Sequence, residues 1–514
     1  MLRREEIMNR TRSSIKNMAV TLVGALVTML LQLVNRRIFV NYLASDYLGL
    51  NGLFSNVLSM LSLSELGVGS AMIFALYRPV AEKDNEKIKS LMLLYKRMYT
   101  VIGCFILGVG FAITPFLSIF IKEMPDIPYI HVYYIMYVLD IGLSYFYTYK
   151  RSLIICNRED YISSTTTMCS VVGTRFIQLL VLVFTHNYFL FLLAQVLINR
   201  LENIVISKIA DKKYPYLLEK NVKPLEKDAT DGIKKNIVAM MAHKVGDVIV
   251  NGTDNIIISK ILGLSVLGIY SNYYLLISAI QGMISKVFHS LISNVGNLVV
   301  EKEKEETERV FYNIFFANYW IFGICSVCFF CLLQPFVRLW LGDDFLLSDI
   351  TIWILVLVFY INGMRSTALI FRNASGIFRH DRYKALVEAA INIIASIPLT
   401  ISFGVAGVKL GTLISTITTS FWIEGYVLYK FYFNKSMRKY MMRQLVYLLF
   451  VLCVCFIVNQ LCVIVDDNDV VSFALECIIC IAIPNLLFVL AFWRTQEFKY
   501  FLHMAKRIFR KGRM

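Results

Sequence analysis

The chain has 514 residues, of which 57% are hydrophobic and only 17% charged, and its mean hydropathy is +0.62. Soluble domains carry roughly a quarter charged residues, and a soluble protein of this length would need polar surface over two or three cores, which this composition cannot supply. The apolar excess runs from residue 18 to residue 493, which also excludes a soluble enzyme on a single anchor; the chain reads as a multi-span membrane protein.

A hydrocarbon core of ~30 Å takes ~20 helical residues at ~1.5 Å each. Apolar segments of that size fall at 14–42, 48–77, 90–121, 129–156, 160–185, 187–209, 233–262, 265–297, 308–341, 349–377, 383–404, 406–431, 438–464 and 470–493, fourteen in all. They lack the ~10-residue alternation of transmembrane barrel strands, so the expected fold class is an all-α membrane protein. The first segment is long, carries Gln32, Asn35, Arg36 and Arg37, and has no small-residue cleavage site, so it is retained rather than removed as a signal peptide.

Every second loop is basic. Cations gather at Arg3 to Lys16, Lys83 to Lys89, Lys150 to Arg158, Lys208 to Lys235, Lys302 to Arg309, Arg379 to Lys384, Lys430 to Arg443 and Lys499 to Arg513. By the positive-inside rule both termini face the cytoplasm and the span count is even. The net charge of +16 is then mostly a topology signal. No nucleic-acid partner is expected, because that would need the cations on one folded face. The tail from Lys499 alternates Phe501, Leu502, Ile508 and Phe509 with basic residues, as in a helix lying on an anionic leaflet. The eleven cysteines, Cys325, Cys328, Cys331, Cys453, Cys455, Cys477 and Cys480 among them, do not make a metal centre. Those named lie in apolar spans, where Cys acts as a small hydrophobe, and no His or carboxylate completes a tetrahedral set.

Sliding the chain against itself exposes a repeat. At an offset of 219, Lys16-Asn17 falls on Lys235-Asn236, Ile38 on Ile257, Leu43 on Leu262, Leu48-Gly49 on Leu267-Gly268 and Ser59 on Ser278. Later offsets bring Pro115-Phe116 onto Pro335-Phe336 and Asp140 onto Asn362. The expected organisation is an N-terminal lobe at 1–210 (spans one to six), a cytoplasmic linker at 211–232, a C-terminal lobe at 233–434 (spans seven to twelve), two further spans at 435–495 and the basic tail at 496–514. Copies of six spans are parallel, related by an axis along the membrane normal.

Polar residues inside the spans follow the repeat. At ~100° per residue, Asn17, Thr21, Gly24, Thr28, Gln32 and Asn35 share one arc of the first span, and His243, Asp247, Asn251 and Asp254 share one on the seventh. Thr28, Gln32 and Asn35 map onto Asp247, Asn251 and Asp254. Each Asp or Lys at mid-bilayer costs about 2.5 to 3.5 kcal/mol, so Lys244, Asp247 and Asp254 together ask roughly 8 to 10 kcal/mol of one helix. Lipid exposure is excluded, which leaves an aqueous cavity or pairing between helices. The fourth span adds Tyr133, Tyr137, Asp140, Ser144 and Tyr147. Arg36, Arg175, Lys244, Lys286 and Arg365 stand at or beside the wet arcs. Such cations suit phosphate oxygens, so a pyrophosphate headgroup is the expected ligand. Glu65, Asp140, Asp247, Asp254, Glu388 and Glu424 can pair with those cations or carry H+ or Na+; the residues alone leave both roles open. Otherwise no cofactor is expected. The chain has no Gly-x-x-x-x-Gly-Lys loop for a nucleotide, and no pair of outer-loop carboxylates for acid–base catalysis, so it is not expected to be an enzyme.

The segments Asp46-Tyr47-Leu48-Gly49-Leu50 through Glu65-Leu66-Gly67-Val68-Gly69, Asn157-Arg158-Glu159-Asp160-Tyr161 and Asp254-Asn255-Ile256-Ile257-Ile258 resemble bacterial polysaccharide-repeat flippases of the Wzx type. These belong to the superfamily that also holds multidrug extruders and the lipid II flippase. The resemblance implies two six-helix lobes forming a V that rocks between inward-open and outward-open states in the bacterial cytoplasmic membrane. It also implies an undecaprenyl-pyrophosphate-linked oligosaccharide as cargo, for capsule, O-antigen or exopolysaccharide, with polymerase and chain-length machinery as further partners beside the membrane lipids. The local patterns around Arg36 and Lys244 do not match the lipid II flippase closely enough to carry its arginines over. The competing reading is a cation-coupled multidrug or other lipid-linked-precursor exporter on the same scaffold.

Overall fold

A computed structural model describes Gly24 and residues 26–511, apart from 66, 158, 220–221, 223–224, 226–230, 232, 234–236, 238–251, 378–380, 382 and 466–468. It is helical, with no strand among the described residues. The chain divides into two compact units, Met1–Gly268 and Ile269–Met514.

The first unit holds α1 (26–42), α2 (Ser45–Leu61), α3 (Val68–Glu82), α4 (Asn85–Ile113), α5 (Ile130–Thr148), α6 (Arg151–Cys156), α7 (Asp160–Thr185), α8 (Tyr188–Lys213), α9 (252–261) and the start of α10 (Leu264–Glu301). Local chemistry sets several boundaries. The Asp84 carboxylate accepts from the Lys87 N–H at 3.0 Å and starts α4, and Asn187 does the same for α8 through the Phe189 and Leu190 N–H groups, each satisfying donors that a helix start leaves orphaned. Met72, Leu76, Leu91, Tyr95, Ile106 and Leu153 pack between α3, α4 and α6 as a buried core.

The duplicated Leu-Gly pair is a helix contact. A Cβ on Gly49 of α2 would meet the Leu264 carbonyl oxygen at 2.1 Å, and one on Gly268 of α10 would meet the Ser45 carbonyl oxygen at 2.2 Å. The contact is reciprocal: at the repeat offset, position 45 corresponds to 264 and position 49 to 268. The Ser45 and Ser265 hydroxyls hydrogen-bond beside it at 2.7 Å. Two helix backbones approach this closely only where both present small residues.

The second unit continues with α11 (Lys304–Leu341), α12 (Asp349–Ala374), α13 (Lys384–Phe403), α14 (Val405–Thr418), α15 (Ser420–Val427), a π-helical turn at Leu428–Phe433, α16 (Arg438–Val465), α17 (Val470–Phe492) and α18 (Gln496–Lys511). Its centre is aromatic. Tyr319 of α11 stacks on Tyr447 of α16 at 3.9 Å and on Phe488 of α17 at 5.2 Å between centroids. Gly363 of α12 lies flat against the Phe322 ring, and Asn318 donates to its carbonyl at 2.9 Å. The basic amphipathic tail is α18; its Phe498 stacks on Trp320 and its Glu497 accepts from Arg443 at 2.5 Å.

Among the described residues, eight helices are long and apolar enough to cross a membrane: α4 with its 3-10 extension to Ile119, α7, α8, α11, α12, α13, α16 and α17. The chain is thus a multi-pass helical membrane protein. Three predicted spans are interrupted rather than continuous. The second breaks between α2 and α3 at a 3-10 turn, Ser62–Glu65, followed by Gly67 at φ +87°. The fourth breaks between α5 and α6. The twelfth breaks at Thr419, whose φ of −124° and ψ of −87° separate α14 from α15. Continuous apolar content conceals such breaks, because hydropathy does not register one residue leaving the helical region.

Candidate functional site

The predicted polar faces of α1 and α5 meet polar side chains of α7 and α8 in the first unit as one hydrogen-bond network. Asn35 of α1 is buried and donates to the Arg175 carbonyl at 2.7 Å. Arg175 of α7 donates through Nη1 to Gln178 at 3.0 Å, and Gln178 passes the chain on to Gln195 of α8 at 3.3 Å. Gln195 and Asn199 both donate to Oδ2 of Asp140 on α5, at 3.4 and 2.9 Å. Beside this run, Tyr137 and Tyr188 both donate to the Asn51 side-chain oxygen, Tyr188 at 2.6 Å. Arg36 and Arg175 stand close enough for their charges to act on each other, and Tyr137 lies within electrostatic range of both. Among the described residues the neighbours of Arg175 are amides and a phenol rather than a carboxylate. Its Nε, the Asn35 Oδ1, the Thr174 and Ser170 hydroxyls and the Arg200 Nη1 are buried without a partner among the described residues. Buried polar groups normally have partners, so an unused guanidinium donor here is capacity for a ligand.

The second unit treats its cations differently. Arg365 of α12 grips Glu424 of α15 in a two-bond fork, Nη2 to Oε1 at 2.7 Å and Nε to Oε2 at 3.2 Å, and donates its Nη1 to Asn362 at 2.9 Å. Glu388 of α13 lies 3.8 Å from the same guanidinium and accepts from Thr416 at 3.1 Å and from Ser420. Lys384 bonds Glu424, and Arg372 bonds Asp381. Three cations and three acids therefore close on one another, with Glu424 only 1% exposed.

The remaining predicted residues are placed as follows. Gln32 lies half-buried on α1. Asp254 of α9, the repeat counterpart of Asn35, is buried as Asn35 is. Lys286 is exposed on α10. His243, Lys244, Asp247 and Asn251 lie outside the described residues. Glu65 is in a cavity of about 390 Å³ within the first unit, with Tyr95, Tyr99, Ser144, Tyr145, Arg151 and Ser152 in its lining. All three tyrosines escape sequence reasoning, since Tyr in an apolar helix reads as packing; the only signal is the four-residue spacing of Tyr95 and Tyr99 on one face of α4. Cys331, Cys462 and Cys480 are also brought together, their buried sulfurs within 4.8 Å of one another; Cys462 was not singled out by spacing.

A family model described as "Polysaccharide biosynthesis protein" matches residues 14–292, more than half of the chain. No curated protein sequence matches it. Among solved structures, the lipid II flippase MurJ in an inward closed conformation is similar over 92% of this chain and 99% of its own, at 13% identity and a TM-score of 0.65. An inward-facing multidrug resistance MATE family transporter of the MOP superfamily is similar over 77% of this chain and 92% of its own, at 14% identity and a TM-score of 0.59. The Vibrio cholerae MATE transporter VcmN is similar over 83% and 98%, at 15% identity and a TM-score of 0.58. At these identities the solved structures establish a shared fold, and the model match establishes the family: this chain is a multi-pass membrane protein of the polysaccharide biosynthesis protein family, with the fold of the MOP-superfamily transporters and flippases.

Proposed function

We propose that this protein is a flippase that carries an undecaprenyl-pyrophosphate-linked oligosaccharide repeat unit from the cytoplasmic to the outer leaflet of a bacterial cytoplasmic membrane, by alternating access, for capsule, O-antigen or exopolysaccharide assembly. The observation that carries the reading is Arg175 in a network of amide side chains, with its buried Nε unused among the described residues and Arg36 within electrostatic range. Guanidinium forks match phosphate oxygens two at a time and stay charged when desolvated. In this reading the amide and tyrosine faces of α5 and α8 border the glycan's path, and the lipid tail remains in the bilayer. The organisation proposed is fourteen spans with both termini cytoplasmic, in lobes 1–210 and 233–434 joined by the 211–232 linker, with two added spans at 435–495. Asp140 and Asp254 are the acids proposed to carry H+ or Na+ for coupling.

The test is complementation of a flippase-deficient strain by Ala variants of Arg36, Arg175, Lys244, Lys286 and Arg365, with membrane expression measured in parallel. Loss of a charge-assisted hydrogen bond of about 1.5–3 kcal/mol corresponds to roughly 10- to 100-fold, and a fall in transport of that size is expected for Arg36→Ala and Arg175→Ala at normal expression. Full complementation by all five variants would overturn the cationic site. Collapsing the proton gradient and then the Na+ gradient in vesicles tests the coupling.

A further inference from the structure

We propose that the Glu65 cavity is a sugar-ring subsite, a place where one hydroxyl-rich ring of the cargo glycan docks; the proposal rests on the flippase reading above and assigns a second contact to it. The cavity is built rather than incidental. Glu65 closes the 3-10 turn between α2 and α3, and Gly67 at φ +87° redirects the chain immediately after it. The carboxylate is held on both sides: Tyr99 donates to Oε1 at 2.5 Å and Tyr145 to Oε2 at 2.9 Å. Tyr95 extends the chain, donating to the Tyr99 hydroxyl at 3.1 Å and lying 3.1 Å from the Ser152 hydroxyl. A carboxylate offers about four acceptor positions, and the two tyrosines fill two of them among the described residues.

Donor capacity is present as well. Arg151 lines the cavity, its Nη2 is on Glu202 at 2.7 Å, and its Nε is buried without a partner among the described residues. Gly69 keeps the space open, because a Cβ there would come within 3.0 Å of the Tyr99 hydroxyl and 3.5 Å of Glu65 Oε1.

Chemistry selects among ligands. Among the described residues Arg151 is neutralised by Glu202 while the partners of Glu65 are phenols, so the cavity does not favour an anion, and the pyrophosphate is assigned elsewhere. Vicinal ring hydroxyls, each both donor and acceptor, can donate to the carboxylate and accept from the guanidinium, while phenol rings give a sugar's C–H faces apolar contact. The volume, about 390 Å³, is at the lower end of the ~300–1,000 Å³ range of small-molecule sites, which suits a single ring rather than a whole headgroup.

The experiment uses the full-length protein in nanodiscs, with methyl glycosides of glucose, galactose and N-acetylglucosamine as probes and tetraphenylphosphonium as the organic-cation comparison, read by saturation-transfer NMR and followed through thermal melting of each variant. At least one glycoside should bind the wild type. Its affinity should fall ~10-fold or more in Glu65→Gln and Gly69→Val, and ~3-fold in Tyr99→Phe, the variant that disturbs packing least. Three results would each overturn the subsite: no glycoside bound by the wild type, glycoside binding unchanged in all three folded variants, or tetraphenylphosphonium bound in the cavity where glycosides are not. The flippase reading has its own readout, accumulation of a lipid-linked glycan on the cytoplasmic face when the protein is depleted. Accumulation without glycoside binding sinks the subsite alone, whereas depletion without accumulation sinks the reading beneath it.

Discussion

Arg175 and Arg365 are both arginines inside apolar helices of one chain, yet their surroundings are opposed. Around Arg175 the partners are Gln178, an asparagine bonded to its own backbone carbonyl, and a second arginine within electrostatic range. Around Arg365 the partners are Glu424 in a fork and Glu388 nearby, in a chain of ion pairs that runs on through Lys384 to Asp381 and Arg372. A buried charge already matched by a carboxylate spends its hydrogen bonds on the protein, and one set among neutral dipoles keeps them for something else. On the proposed reading, the difference between a structural cation and a ligand-binding one lies in the neighbours, not in depth.

The sharpest way to break this comparison is to unbalance the closed network. Glu424→Ala takes from Lys384 and Arg365 their shortest carboxylate contact, leaving Asp381 at 3.9 Å and Glu388 at 3.8 Å, and removing one partner of a buried pair costs about 3–5 kcal/mol; thermal unfolding in detergent should show a large fall. A stable Glu424→Ala protein would mean that these cations are not structural. Next in size is Gly49→Ala, where the added methyl meets the Leu264 carbonyl; overpacking of this kind costs about 1–3 kcal/mol, and the same melting experiment should place it below Glu424→Ala. Arg175→Lys then sharpens the open side. It preserves charge and removes the planar fork, so transport should drop by ~10-fold with an unchanged melting temperature; wild-type transport would show that a point charge suffices.

The smallest effect is expected from Glu159, in the turn between α6 and α7. Lys213 at 2.6 Å and the Tyr214 hydroxyl at 2.9 Å hold its carboxyl below the usual carboxylate range. A carboxyl with a lowered folded-state pKa contributes stability above its unfolded value, ~4.3 for Glu, and loses it as pH falls through the folded value. Stability should thus decline slightly more in wild type than in Glu159→Gln as pH drops below about 4, with a total under ~1 kcal/mol because the pair is partly exposed. Identical pH profiles for the two proteins would remove the ion pair from the account.

Legibility in the sequence followed the range of each interaction. Long apolar runs such as 308–341 and 349–377 carry their own evidence, and α11 and α12 occupy them closely. The breaks at Gly67 and Thr419 depend on single backbone dihedrals that composition averages away. Arg36, Asn35, Arg175 and Asp140 were each conspicuous as polar residues on apolar faces, but their convergence needs α1, α5, α7 and α8 to pack. The acids were recognised without their roles: nothing in the residues alone separates a carboxylate that neutralises Arg365 from one that carries an ion. Tyr95, Tyr99 and Tyr145 went unnoticed because their hydroxyls matter only once Glu65 is brought to them.

The Gly49 and Gly268 contact has the form of a dimer interface between two identical chains, position 45 against 268 and 49 against 264 on each side of an approximate two-fold relation. Such a surface ties two distant positions of one sequence together. A bulkier residue at either glycine would meet the facing backbone carbonyl and close the gap for both, so the choice of residue at one position constrains the other.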